Sequence, residues 1–222
     1  MARFDSLADR KTWAKGMRLL KKNDRVLRRL IEKTGPIKQD LHKNYFGTLT
    51  RSIISQQISD AAANSILRRL KHIYGGKMPT PTEYLRTDKR RLRAAGLSPQ
   101  KTAYIKDLSE KIESGAVELR RFYELPDEDV IRELDKVKGI GRWTAEMFLM
   151  FSLGRTDVLP VDDLGFRKAV QRVYHLKELP GKEKIEALAD KWRPYRSIAT
   201  IYLWNSSGEE PWKPEHTDVK SG

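Results

Sequence analysis

The residues whose types and spacing could do chemistry cluster in Lys136-Val137-Lys138-Gly139-Ile140-Gly141-Arg142-Trp143-Thr144. Two glycines around one apolar residue permit a tight turn between helices, with Ile140 filling the space between them. Glycine also lets the backbone approach a phosphate, and the freed amides at the N-terminus of the next helix point at it. Lys136, Lys138 and Arg142 add positive charge around the same spot. That arrangement suits a grip on a polynucleotide backbone that does not read sequence. A plain helical turn containing glycine is the alternative. The whole string KVKGIGRWTAEMFLMFSLG is far more specific than a lone Gly-x-Gly.

Downstream lies Leu159-Pro160-Val161-Asp162-Asp163-Leu164-Gly165-Phe166-Arg167. Taken alone, an Asp after Pro and before a helix is an N-cap. Adjacent residues near a helix start point about 100° apart, so Asp162 and Asp163 should not share one job. One is expected to face a cleft, the other to cap the helix or hold a nearby cation. Upstream, Ile53-Ile54-Ser55-Gln56-Gln57-Ile58-Ser59 turns polar abruptly at a helix end, which on its own terms is a polar turn.

Composition closes off much other chemistry. The chain has no cysteine, which excludes disulfides, thiolate metal sites and cysteine nucleophiles. The four histidines, His42, His72, His175 and His216, never fall at metal-ligand spacing, and no metal site is expected. Lys and Arg number 44 against 30 Asp and Glu, a net charge of +14 with a pI near 9.9. A polyanionic partner, nucleic acid first, follows from that charge. A basic protein kept soluble by its charge is the plainer reading. No apolar run approaches the roughly 18 residues of a spanning helix, and no membrane partner or leader is expected. The default location is cytoplasmic, at the nucleoid.

The elements that must position these residues are helical nearly throughout. Residues 4–34 carry one or two amphipathic helices, stopped by Gly35-Pro36. Phe46, Leu49, Ile53 and Ile54 form the stripe of a helix ending near Gln56. Asp60 caps a helix through Tyr74, Thr80-Pro81 starts another, Thr87 starts one ending at Gly96, and Ser98-Pro99 starts one reaching Gly115. Asp127 caps the helix before the hairpin, and a second helix begins at Trp143. No segment alternates with hairpin-turn chemistry, so the fold class is all-α. The tail from Gly208 is rich in proline and charge and is expected to lie loosely on the surface.

GIGRWTAE, then LPVDDLGFRKAV, then WRPYRSIATIYLW together resemble the helix–hairpin–helix superfamily of DNA glycosylases, most nearly its AlkA-type 3-methyladenine DNA glycosylase II branch. The resemblance runs from roughly Tyr45 to Trp212. It implies a single unit over 1–222 built of two helical subdomains, approximately 36–125 and 1–35 plus 126–222, with the active site in the cleft between them. By that resemblance it looks like the compact form, and the N-terminal β domain of larger relatives is not expected.

The resemblance places the catalytic carboxylate on the Asp162-Asp163 pair. The family's Asp-apolar-x-apolar-basic pattern fits Asp163, while a Pro-x-Asp pattern makes Asp162 the second choice. It puts Trp143, Met147 and Trp204 in the lesion pocket, with Met147 where relatives often have an aromatic. Gln57 matches the wedge that fills the gap left by a flipped base, with Gln56 beside it. Lys138, Gly139, Ile140, Gly141, Arg142 and Thr144 fall to DNA binding.

Bifunctional relatives carry a lysine where Trp143 stands. Without that amine no Schiff base forms, so a monofunctional enzyme is implied. Iron–sulfur relatives need cysteines this chain lacks, so no cofactor is expected. The implied partner is double-stranded DNA containing alkylated bases, 3-methyladenine and 7-methylguanine, and the implied state is a monomer. Hypoxanthine or a mismatched pyrimidine is the competing lesion. A non-catalytic helix–hairpin–helix module is the competing non-enzyme; such modules usually repeat the motif.

Overall fold

A computed structural model describes residues 5–206; the tail from Gly208 lies outside the described residues. Twelve α-helices follow one another there: α1 (Arg10–Asn23), α2 (Arg25–Thr34), α3 (Tyr45–Ser55), α4 (Asp60–Ile73), α5 (Pro81–Arg86), α6 (Lys89–Ala94), α7 (Pro99–Glu113), α8 (Asp127–Asp135), α9 (Arg142–Phe151), α10 (Leu164–Val173), α11 (Lys182–Ala189) and α12 (Arg196–Asn205). Among the described residues no strand forms, and one isolated antiparallel bridge joins Ser6 and Arg155. The fold is all-α, as the periodicity predicts.

Local chemistry sets the helix starts. Thr80 and Glu83 form a reciprocal capping box ahead of Pro81, and Ser98 accepts from the Lys101 amide ahead of Pro99. Four starts shift by one residue from expectation, among them α9, which begins at Arg142 rather than Trp143. Ser59 rather than Asp60 caps α4, and Asp88 rather than Thr87 caps α6, because each side chain reaches the amides two or three residues on. Pro126, not Asp127, stands at the cap of α8. Asp127, Glu128 and Asp129 fill its first turn, where carboxylates suit the exposed amides.

The described residues divide into two units, 42–148 and 5–41 plus 149–206. In the first, α3 packs on α4 and α7, and α5 and α6 pack on α7. Leu49, Ile53, Ile54, Leu70, Ile105 and Leu108 are fully buried there, each worth about 1.5–3 kcal/mol of removed apolar surface. Phe148 meets the rings of Tyr45 and Phe122 edge-on, at 5.3 and 6.0 Å.

In the second unit α1, α2 and α12 pack on one another, and α10 packs on α12. Buried Asp24 is the N-cap of α2 and also accepts from Tyr174 Oη at 2.6 Å, Trp192 Nε1 at 3.0 Å and Lys191 Nζ at 3.0 Å. One carboxylate thereby ties three stretches of chain together.

The boundary differs from the expected one after residue 125. The hairpin groups with 42–148 because Lys138 N–H donates to Asp107 and Gln56 donates to the Gly139 carbonyl, both inside that unit. Helix α9 begins in one unit and ends in the other.

Candidate functional site

The hairpin spans 136–141 between α8 and α9. Val130, Ile131, Leu134 and Val137 bury the incoming side, and Ile140 is buried as the expected plug. Gly139 sits at φ +80°, and a Cβ there would strike the ring of Tyr104, so only glycine fits. A Cβ on Gly141 would meet nothing within 4 Å, so that backbone is open to approach. Lys138, Gly141 and Arg142 are exposed, whereas the Ile140 and Thr144 side chains are buried.

Helix α7 holds the hairpin from behind. Asp107 Oδ2 accepts the Lys138 amide at 2.9 Å. Burial acts to raise the Asp107 pKa, but the Lys111 ammonium and the Lys138 amide outweigh it and hold the carboxyl below its ordinary value. Gln56, the C-cap of α3, donates from Nε2 to the Gly139 carbonyl at 2.6 Å. Its amide is therefore tied to the backbone of the hairpin. Gln57 is exposed and left-handed, with φ 59°. One turn back, Lys101 Nζ donates to the Ile54 carbonyl at 2.6 Å, and burial pushes the Lys101 pKa down.

Charge at the hairpin is partly compensated. Arg142 donates from Nη1 and Nη2 to the two carboxylate oxygens of Glu128, at 3.0 and 2.7 Å, and these bonds hold the Glu128 carboxyl below its usual range. Trp143 follows with 41% of its surface exposed, while Met147, one turn on, is buried at 2%.

In the other unit Asp163 caps α10. Its Oδ1 accepts the Phe166 amide and also the Trp204 indole N–H, the latter at 3.1 Å. Trp204 is buried, stacked on Phe151 at 6.2 Å and edge-on to Phe166 at 6.3 Å. Asp162 points elsewhere and pairs with Lys182 at 2.7 Å on the surface. The helix cap and the residue joined to Trp204 are thus one aspartate, and the cation holder is its neighbour. Capping and the contact with Trp204 therefore fall on one residue, where the sequence predicts separate ones. No group of metal-ligating side chains occurs among the described residues.

Sequence reasoning missed Lys101, Tyr104 and Asp107, which sit on α7 far from any motif. It also missed Leu164, 51% exposed directly after Asp163. The spacing Lys101, Tyr104, Asp107 was the available signal, since steps of three put them on one helix face.

Residues 50–194 match the family described as HhH-GPD superfamily base excision DNA repair protein. The chain belongs to that family. It is 36% identical over 190 residues to DNA-3-methyladenine glycosylase 1 of Schizosaccharomyces pombe, covering 85% of this chain and 83% of that one. A solved structure of the 3-methyladenine DNA glycosylase from the same yeast, in complex with abasic DNA, superposes with a TM-score of 0.78 at 34% identity, covering 90% of this chain and all of the other. A DNA-3-methyladenine glycosidase from Bacillus halodurans gives a TM-score of 0.80 at 35% identity, with 93% of each chain covered.

Proposed function

We propose that this protein is a monofunctional DNA glycosylase that acts as a monomer on duplex DNA and hydrolyses the N-glycosidic bond of alkylated purines, 3-methyladenine and 7-methylguanine, after flipping the nucleotide. The observation that carries the reading is the Asp163 carboxylate fixed at the start of α10 by the Trp204 and Phe166 N–H groups. A glycosidic bond breaks with positive charge developing on the sugar, and a preoriented carboxylate stabilises that charge. The bond's electron pair leaves with the base, and water adds to the anomeric carbon, giving up its proton. An alkylated purine is already cationic, so it departs without a general acid.

The exposed face of Trp143 suits stacking of an electron-poor cationic ring. The same residue offers no amine for a Schiff base. The open backbone at Gly141 and the charges of Lys138 and Arg142 suit the phosphate backbone. Gln57, exposed at its strained turn, suits the gap left by the flipped base.

The test is a panel of labelled duplexes, each carrying 3-methyladenine, 7-methylguanine, hypoxanthine or a mismatched thymine, scored for base release with and without alkali. Release of both alkylated purines, with strand breaks only after alkali, is expected. Release confined to hypoxanthine or thymine refutes the lesion assignment, and no release from any substrate refutes the enzyme.

A further inference from the structure

We infer that the wedge turn and the hairpin form one preset gauge, and that Gln56 is the positioning residue that ties them. This rests on the reading of Gln57 as the residue that fills the gap in the duplex. Three observations converge. Gln57 is held in the left-handed region at φ 59°, which a non-glycine residue keeps only where its surroundings impose it. Gln56, immediately before it, bonds the Gly139 carbonyl 83 residues away at 2.6 Å. One face of α7 serves both ends: Lys101 bonds the Ile54 carbonyl on the wedge side, while Tyr104 packs against Gly139 and Asp107 takes the Lys138 amide on the hairpin side.

The consequence is a fixed separation between the inserted side chain and the amides that grip phosphate. Flipping needs both contacts at once, at a set spacing along the strand. A gauge built beforehand orients the insertion without reorganising the protein at that moment. Gln56 acts through Gly139, to whose carbonyl its amide donates.

The experiment compares excision from duplex and from single strands for Gln56→Met, which keeps length but not the donor, and Gln56→Glu, which sets a carboxylate against the carbonyl. Each should lose duplex excision by about tenfold more than single-strand excision, the worth of one strong hydrogen bond. Gln56→Met combined with Gln57→Ala should be no worse than Gln57→Ala alone, because an untied wedge and an absent one fail alike. Multiplying losses overturn the gauge, as does an equal loss on both substrates.

Hydrogen exchange separates this from the functional reading. In Gln56→Met, amides in 55–59 and in 138–141 should both exchange faster. Faster exchange confined to 55–59 overturns the gauge even in an enzyme that excises normally. A wild-type chain that releases no alkylated base refutes the function, and exchange in the two segments still decides the coupling.

Discussion

The indole N–H of Trp204 meets Oδ1 of Asp163 at 3.1 Å, on the same oxygen that takes the Phe166 amide. Two donors on one oxygen fix the plane of the carboxylate, while the stacked Phe151 ring keeps the indole from turning. Trp204→Phe keeps an aromatic ring and removes the donor. Excision is expected to fall by about tenfold, and the melting temperature to drop, because one charge-assisted hydrogen bond and part of a buried ring are lost. Base release and melting temperature of the variant check this.

Asp163→Asn retains an oxygen that can accept both N–H groups, so the cap and the fold should survive. Only the charge is removed. Excision should fall by about a thousandfold, while binding to damaged duplex stays near wild type. Asp162→Asn breaks an exposed pair with Lys182, worth about 0–1 kcal/mol, and should change the rate by no more than a few-fold. Single-turnover rates of the two variants rank them, and the reverse order moves the chemistry to Asp162.

The two hairpin glycines should separate in mutagenesis. Gly139→Ala meets both the positive φ and the Tyr104 ring, and should lower stability by about 2 kcal/mol or more. Gly141→Val has open space and should fold normally. Its affinity for undamaged duplex should nevertheless drop several-fold on every sequence, since the branched side chain holds the phosphate off. Denaturant melts and duplex titrations distinguish the cases.

Schiff-base chemistry should be absent. Borohydride added during turnover should trap no covalent protein–DNA complex in the wild type, because Trp143 offers no amine. A trapped band on a denaturing gel would show that another amine reaches the sugar.

Asp24 sets an acid limit on stability. Burial opposes its ionisation, but the Tyr174, Trp192 and Lys191 donors prevail, so its folded pKa lies below the ordinary value of 3.8. A depressed pKa contributes stability in full above the unfolded value, and that contribution is lost as pH falls through the folded one. Asp24→Asn should cost about 3 kcal/mol at pH 7. Below about pH 4 the difference in melting temperature between variant and wild type should narrow. A constant difference from pH 7 to pH 2 would place the effect outside this carboxylate's charge.

Helix starts and stops were readable because their signals are local: the Thr80–Glu83 box, Ser98 before Pro99, and Gly35 after α2 all lie within a few residues of what they terminate. The one-residue shifts at Ser59 and Asp88 arose where two cap-capable side chains stand side by side. The hairpin and the Asp162-Asp163 pair were visible as motifs, but not their partners. Gln56 finds Gly139 across 83 residues, and Trp204 finds Asp163 across 41, distances over which sequence carries no spacing rule. Lys101, Tyr104 and Asp107 look like the polar side of an amphipathic helix whose buried side is Ile105 and Leu108. Only tertiary packing shows what they touch.

The Arg142–Glu128 fork bears on how quickly the chain can search. Undamaged sites outnumber lesions by many orders of magnitude, and time spent on each one delays arrival at the next. A guanidinium already engaged by a neighbouring carboxylate attracts an anion less strongly than a bare one, so under the proposed function Glu128 would act as a brake on residence. Releasing the brake would strengthen attachment everywhere and slow the journey to damage.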